Sequence, residues 1–232
     1  FSMTEPEFAG SNPVMMGTTA VKDGNDYIIN GHKWFTSSAD GAAFAVVMAS
    51  TNPDAAPHKR ASQIIVPLDT DGYQFIRNIP IMGHAGDSWA SHAEVIYENV
   101  RVPQANLIGM EGAGFLLAQE RLGPGRIHHC MRCIGAAEKA LELMIDRGMS
   151  RKAFGKELLK LGGNLERVAE ARVQIDQARL LTLYAAYKMD TLGNMAALTE
   201  ISAIKVVAPT VLQNVVDMAI QIHGGEGVSR DT

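Results

Sequence analysis

The pattern of hydrophobic and polar positions changes once along the chain. Up to about residue 105, short apolar runs alternate with polar residues, and turn dipeptides such as Asp23-Gly24 and Asn30-Gly31 separate them; this pattern predicts β-strands. We expect strands over residues 26–29, 44–48, 62–67, 73–77 and 93–97. Several short strands with no helix between them favour a barrel or a sandwich over a parallel sheet.

After Pro103 the apolar residues recur at the spacing of helices. The spacing predicts one helix from Gly114 to Met149, a second over residues 165–192 and a third over residues 196–222. Their short connections contain glycine, which is typical of antiparallel bundles. The predicted fold class is therefore α+β, with an antiparallel β-barrel or sandwich domain over residues 1–107 followed by an up-down helical bundle over residues 108–232.

Composition excludes several classes of protein. Of the 232 residues, 47% are hydrophobic and 20% are charged, as in an ordinary soluble protein. The net charge of −4 argues against a surface for nucleic acids. No uninterrupted apolar run approaches the length of a membrane span, so we expect none. The first four residues contain no initiator methionine and no signal pattern, so we expect an internal piece of a longer protein.

Two cysteines, Cys130 and Cys133, follow His128 and His129 on the first predicted helix. Two cysteines are too few for a disulfide framework. A zinc site needs about four converging ligands. These four side chains would fan around the helix, because only positions three or four apart share a helical face. We expect no metal site here.

Two segments of the β region have the composition of a cofactor site. Thr4 and Ser11 lie in a loop bounded by Pro6 and Gly10, and their hydroxyls could donate to a ring carbonyl or a phosphate. Further on, strand alternation would place the Trp34 ring and the Thr36 hydroxyl on one side, against a flat aromatic group. The alternatives are an ordinary polar loop and a core tryptophan beside a solvated threonine.

Taken in order, these segments resemble the acyl-CoA dehydrogenases. Six motifs carry the resemblance. Two are in the β region discussed above: Thr4-Glu5-Pro6 through Gly10-Ser11, and Asn30-Gly31-His32-Lys33-Trp34-Phe35-Thr36. The other four are Asn99-Val100-Arg101-Val102-Pro103, Gly112-Ala113-Gly114-Phe115, Arg151-Lys152-Ala153-Phe154-Gly155, and Gln221-Ile222-His223-Gly224-Gly225-Glu226-Gly227. The stretch from Gly123 to Arg132 is similar to family members ten and eleven and their bacterial relatives.

The resemblance implies a fold and a reaction. Family members consist of an N-terminal helical domain, a middle β-barrel and a C-terminal four-helix bundle, and this chain would supply the last two. They use FAD to dehydrogenate an acyl-CoA thioester, and they pass the electrons to an electron-transfer flavoprotein. A homodimer or homotetramer is implied, with a role in fatty acid β-oxidation. The location would be cytoplasmic in bacteria and mitochondrial or peroxisomal in eukaryotes.

The resemblance also implies site residues. The residues that would line the FAD are Phe1, Met3, Thr4, Ser11, Trp34 and Thr36. Those that would reach the FAD of a neighbouring subunit are Arg151, Phe154, Gln221, Gly224 and Gly225. Substrate contacts would come from Ser11 and from the stretch Gly123, Pro124, Gly125 and Arg126. The guanidinium of Arg151 suits a pyrophosphate, because its fork of donors matches phosphate oxygens.

The chain departs from the family pattern at two places. The loop between Pro6 and Gly10 has one residue more than the commoner version, and Gly162 stands where many members carry a glutamine or histidine near the cofactor.

No catalytic base is evident within the chain. The alternative base position on the first helix is Gly125, which has no acid. Glu120 is interpreted as a solvated or capping residue and Glu226 as a loop residue. We therefore expect the glutamate base beyond Thr232 and little activity from these 232 residues alone. The alternatives are a flavin oxidase or nitroalkane-oxidising relative in the same fold, and a flavin-binding scaffold without catalysis.

Overall fold

The computed structural model describes residues 1–10, 12 and 14–229. The chain divides into two compact units, Phe1–Gln119 and Glu120–Thr232. The boundary at residue 107 stays a prediction. Each unit is described by itself.

The first unit is built on one six-stranded sheet. Its strands are β1 (Thr19–Asp23), β2 (Asp26–Ser37), β3 (Phe44–Ser50), β4 (Ala61–Pro67), β5 (Tyr73–Asn78) and β6 (His92–Pro103). All five predicted strand segments are confirmed. The order is β4-β3-β1-β2-β6-β5. The sheet is mixed rather than purely antiparallel, because β1 and β3 run parallel where Thr19 pairs with Ser50.

Of the two predicted turns in this region, only one is present. Asp23 pairs with Asp26, which leaves a two-residue turn in which Gly24 has a φ of +61°. The prediction of a turn at Asn30-Gly31 is wrong, since both residues lie within β2. The pairing of β2 with β6 changes register there. The side chain of Asn30 accepts a hydrogen bond from the backbone of Asn99 on β6 at 2.8 Å. Gly31 is needed for close approach, because a Cβ there would collide with Thr18.

The core of the first unit is one cluster of buried side chains drawn mainly from the strands of this sheet. Its fully buried members include Ile29, Val47, Ile64, Val95 and Val100. Each such side chain stabilises the fold by about 1.5–3 kcal/mol when it leaves water.

Three long helices follow, as predicted; the second and third lie wholly in the second unit, and the first begins a few residues before it. These are α1 (Gly114–Ser150), α2 (Asn164–Leu192) and α3 (Leu198–His223), and a hairpin of β7 (Lys152–Ala153) and β8 (Lys156–Glu157) follows α1. The principal core of the unit draws on all three helices, through residues such as Met144, Ile175 and Val215.

One helix has the length and composition of a membrane span. Leu198–Val228, which comprises α3 and the turn after it, reaches a mean hydropathy of 1.4. α3 also contributes Ile204, Val215 and Ile222 to the packed cores of the second unit. Because the core helix of a soluble protein passes the same test, this feature is weak evidence for a span.

Candidate functional site

The first residues of the chain lie along the sheet as a short extended segment. The backbone of Ser2 donates to Val46 and accepts from Met48, both at 2.9 Å. Ser2 is fully buried, while Phe1 and Met3 on either side of it are half-buried. Because side chains alternate along an extended segment, Phe1 and Met3 share the face opposite Ser2.

Thr4 and Trp34 lie side by side through two hydrogen bonds. The Trp34 N–H donates to the Thr4 carbonyl at 3.0 Å, and the Thr4 hydroxyl donates to the Trp34 carbonyl at 2.7 Å. A Cβ on Gly10 would lie 2.9 Å from the Thr4 methyl group, so glycine lets the loop close over Thr4. The structure thus brings together two of the predicted cofactor residues. Ser11 lies outside the described residues.

The cofactor contacts expected of Trp34 and Thr36 rested on strand alternation, which is interrupted between these two residues. The contacts themselves stay a prediction. Lys33 pairs with Val95 and Thr36 with Ala93, so Trp34 and Phe35 together oppose Glu94 in a bulge. This bulge breaks the alternation on which the expectation rested. Thr36 is only 2% exposed.

The Thr36 hydroxyl belongs to a buried cluster. Its Oγ1 lies 3.2 Å from the Ser2 Oγ, which in turn accepts from the Tyr97 hydroxyl at 3.1 Å. Burial raises the pKa of Tyr97 above its usual range, so the phenol stays a neutral donor. In this chain the Thr36 hydroxyl is therefore buried and partnered by Ser2.

The outward-facing pair on this strand is instead Phe35 and Ser37. Phe35 is 42% exposed, its φ is +50°, and its ring centroid lies 5.0 Å from that of Trp34. Ser37 is exposed, and its Oγ lies 2.9 Å from His92 Nδ1. The sequence contained a signal for this pair, because an aromatic residue and a hydroxyl residue stand two apart there as well. A bulky residue at positive φ is strained, and such strain clusters at functional sites.

A second strained aromatic lies in the hairpin after α1. Phe154 and Gly155 form its turn with φ values of +51° and +74°. Turns of this kind favour asparagine and glycine, and a phenylalanine there is unusual. Phe154 is 95% exposed, so no packing in this chain offsets the strain. Arg151, at the start of the hairpin, is exposed as well.

The predicted residues after α3 lie at the same end of the second unit. Gln221, Gly224 and Gly225 are exposed, and Gly224 ends the helix with a φ of +65°. Arg147, whose carbonyl accepts from the Arg151 N–H at 3.0 Å, lies 2.7 Å from the Glu226 carboxylate. This ion pair joins the last turn of α1 to the glycine turn, so the Arg151 hairpin and the glycine turn lie close together.

The predicted substrate stretch lies within α1, about ten residues after its start. Gly123 is buried, and a Cβ there would collide with the side chain of Asn194. Pro124 has no N–H, so it removes one helical hydrogen bond and favours a kink. Arg126 is half-buried. Gly125 faces open space, and Glu120 is exposed, as predicted.

The described ranges contain no grouping of three or more His, Cys, Asp and Glu side chains that could hold a metal ion. Gly162, one of the two departures from the family pattern noted in the sequence, has a φ of +53°, which glycine adopts without strain.

Two family models together match nearly the whole chain. Residues 1–100 match the acyl-CoA dehydrogenase middle domain, and residues 112–232 match the acyl-CoA dehydrogenase C-terminal domain. Among curated relatives, FadE2 of Mycobacterium tuberculosis, which carries the name acyl-CoA dehydrogenase, is 50% identical over 237 residues. Acyl-CoA dehydrogenase family member 11 of Gallus gallus is 48% identical over 234 residues. Both matches cover 100% of this chain, but they span only 57% and 30% of those relatives.

Solved structures show the same fold. An acyl-CoA dehydrogenase structure from Mycobacterium abscessus matches with a TM-score of 0.93 and 49% identity, over 100% of this chain and 57% of that one. The protein PigA, solved with FAD and proline, matches with a TM-score of 0.89 and 26% identity, over 99% of this chain and 58% of that one. The predicted fold class of a β domain followed by a helical domain is confirmed.

Proposed function

Since the chain belongs to the acyl-CoA dehydrogenase family, we propose that the protein containing it binds FAD and dehydrogenates an acyl-CoA thioester between Cα and Cβ. The chain spans about half of its bacterial relative, so the activity is proposed for the whole protein. The observation that carries the proposal is the pairing of Thr4 with Trp34 beside an exposed, strained Phe35.

These residues fit an isoalloxazine ring. A flat heteroaromatic ring needs an apolar surface against one face and polar groups at its edge. Phe35 offers the apolar surface, and Trp34 packs against its ring from the side. Ser37 offers a hydroxyl at the border, and Thr4, whose proton goes to the Trp34 carbonyl, offers an acceptor oxygen. We propose Phe35 and Ser37 in place of Trp34 and Thr36 as the residues that meet the ring directly. FAD, when bound, would accept the hydride that leaves Cβ.

We also propose a contribution to the cofactor of a second subunit. Arg151 presents an exposed guanidinium fork, which suits a pyrophosphate. Gly224 and Gly225 allow a phosphate to approach backbone without a side chain in the way. Phe154 is almost fully exposed although its backbone is strained. A contact between its ring and a second subunit would explain why a phenylalanine stands at this position. A homodimer or homotetramer would supply that contact.

The proton on the substrate Cα needs a positioned carboxylate. Gly125 has no acid, Glu120 is exposed, and Glu226 is held by Arg147. We propose that the base is a glutamate beyond Thr232. We further propose that electrons leave through an electron-transfer flavoprotein.

Purification of the full-length protein tests both the cofactor and the electron acceptor. The proposal predicts bound FAD by absorbance, and a reduced flavin that electron-transfer flavoprotein reoxidises much faster than air does. Rapid reoxidation by air alone would assign the protein to the flavin oxidases. Absence of flavin, with none taken up on incubation with FAD, would contradict the proposal.

A further inference from the structure

Lys33 is a charged side chain with no exposed surface, directly behind the proposed flavin contacts. Its ammonium donates to the Met3 carbonyl and to the Glu5 carboxylate, both at 2.8 Å. The backbone of its chain neighbour Trp34 makes two hydrogen bonds with Thr4, one to its carbonyl and one from its hydroxyl. Lys33 and Trp34 together therefore hold three consecutive residues, Met3, Thr4 and Glu5.

Glu5 extends this arrangement to the far end of the loop. Its side chain is only 3% exposed. Besides Lys33, it accepts hydrogen bonds from the Gly17 N–H at 2.6 Å and the Thr18 N–H at 2.9 Å. The carboxylate thus joins the two ends of the loop over residues 6–16, which contains Ser11, the residue that the resemblance assigns to FAD and acyl-CoA.

Burying the two charges of this ion pair costs desolvation free energy. Burial lowers the pKa of Lys33 to about 8, and the attraction of Glu5 only partly compensates. For Glu5, burial opposes ionisation, but Lys33 and the N–H donors outweigh it and hold its pKa below the usual value. A buried pair of this kind often adds little net stability over an apolar pair of similar volume. Its contribution then lies in the arrangement that it enforces.

An apolar pair could fill the same volume but could not make these hydrogen bonds. Without Lys33 the Met3 carbonyl loses its ammonium donor, and without the carboxylate the Gly17 and Thr18 N–H groups lose their acceptor. The segment that contains Met3 and Thr4 would then be free to shift by small amounts. Geometric looseness of this size weakens ligand sites even when the fold is intact.

We propose that Lys33 and Glu5 are positioning residues: their buried ion pair fixes the Met3–Thr4 segment, and through Gly17 and Thr18 the two ends of the loop, in the arrangement that receives the flavin ring. This inference rests on the proposed function for the identity of the ligand. The position of the loop itself does not depend on that identity, so it can be measured without FAD.

The test uses full-length protein with K33M, E5Q and the double variant K33M/E5Q. Removing one partner leaves a buried uncompensated charge, so the single variants are expected to be unstable. The double variant is neutral at both positions, and the amide oxygen that replaces the Glu5 carboxylate can still accept from one N–H. The matched control is K139M/E142Q, which removes an exposed ion pair on α1. Three quantities are measured: the melting temperature of the apoprotein, its rate of proteolytic cleavage within residues 6–16, and the dissociation constant for FAD.

For K33M/E5Q the expected result is a melting temperature below that of wild type but above that of either single variant, faster cleavage of the loop and FAD binding weakened about tenfold. The control should match wild type in all three. Unchanged cleavage and FAD affinity in the double variant would overturn the inference, as would a melting temperature that falls without selective cleavage of the loop. If wild type itself binds no FAD, the proposed function fails, and the cleavage assay alone decides whether the pair positions the loop.

Discussion

The hydroxyl oxygens of Thr36 and Ser2 lie 3.2 Å apart on the buried side of the β-sheet. This contact commits Thr36 to the interior, in a cluster that also includes Tyr97. The neighbouring residues Phe35 and Ser37 are left on the outer face. The aromatic and hydroxyl groups proposed to meet the flavin are therefore displaced by one residue from those that the Trp-x-Thr spacing suggested.

Replacing Phe35 tests this displacement. In the full-length protein, Phe35→Ala should weaken FAD binding by about 1 kcal/mol or more, because an exposed ring contact is lost. Titration of the apoprotein with FAD, followed by flavin fluorescence, measures the change. Phe44→Ala, at another exposed phenylalanine of the sheet, is the control and should bind FAD as wild type does. A larger loss of affinity in Trp34→Ala than in Phe35→Ala would restore the original assignment.

Thr36→Val should affect stability rather than the cofactor. Valine keeps the shape of threonine but removes the hydroxyl from Ser2, which costs about 0.5–1.5 kcal/mol of unfolding free energy. Thermal or denaturant unfolding of the apoprotein measures that loss. Ser37→Ala is the counterpart, since an exposed hydroxyl adds little to stability; it should change the affinity for FAD or the flavin spectrum. The opposite pattern, with stability lost in Ser37→Ala and flavin affinity lost in Thr36→Val, would contradict this division.

Phe154→Gly should separate stability from assembly. Glycine adopts the positive φ of this turn freely, and removing a ring that is 95% exposed sacrifices almost no packing. We expect the free energy of unfolding of the isolated subunit to rise by up to about 1 kcal/mol. We also expect weaker FAD binding and a weaker oligomer in analytical ultracentrifugation. Gly155→Ala, which adds strain at the next position without removing the ring, is the matched control. An oligomer and FAD affinity unchanged in Phe154→Gly would exclude the proposed contact.

Acid stability of the helical unit should depend on Glu138. Two hydrogen bonds from Arg172 and one from Arg179 lower the pKa of this carboxylate to about 2. Because the folded pKa lies below the ordinary value of 4.5, the contribution is complete above pH 4.5 and is lost as the pH falls toward 2. Glu138→Gln should therefore flatten the dependence of unfolding free energy on pH between about 5 and 2.

The expected difference at pH 7 is about 1–2 kcal/mol, since partial exposure screens the pair. Glu142→Gln is the control, because Glu142 pairs with Lys139 on an exposed face. A pH dependence that stays the same in Glu138→Gln would show that other carboxylates govern acid unfolding.

Much of the secondary structure could be predicted from periodicity alone. The spacing of apolar residues located all three long helices and five strand segments, because it reports directly which face is buried. The Asn30-Gly31 turn was wrong for a specific reason. Its asparagine is satisfied by Asn99 on a strand about seventy residues away, and local sequence carries no information about that partner.

The details of the site depend on similar long-range pairing. The bulge at Trp34 and Phe35 exists because β2 and β6 pair out of step there, so alternation within β2 could not reveal it. Likewise, a lysine on a strand is ordinarily read as exposed. Lys33 is buried because Glu5 and the Met3 carbonyl receive it, and those partners come from a segment that only the folded chain brings near.

Anaerobic titration of the full-length, flavin-loaded protein with a panel of acyl-CoA thioesters tests the central claim most directly. Flavin-linked dehydrogenation predicts that at least one thioester bleaches the flavin absorbance band, and that electron-transfer flavoprotein then restores it. Changing the glutamate proposed beyond Thr232 to glutamine should slow bleaching by about 100- to 10,000-fold, the usual contribution of a general base. A fully flavinated protein whose band no acyl-CoA in the panel bleaches would contradict the account.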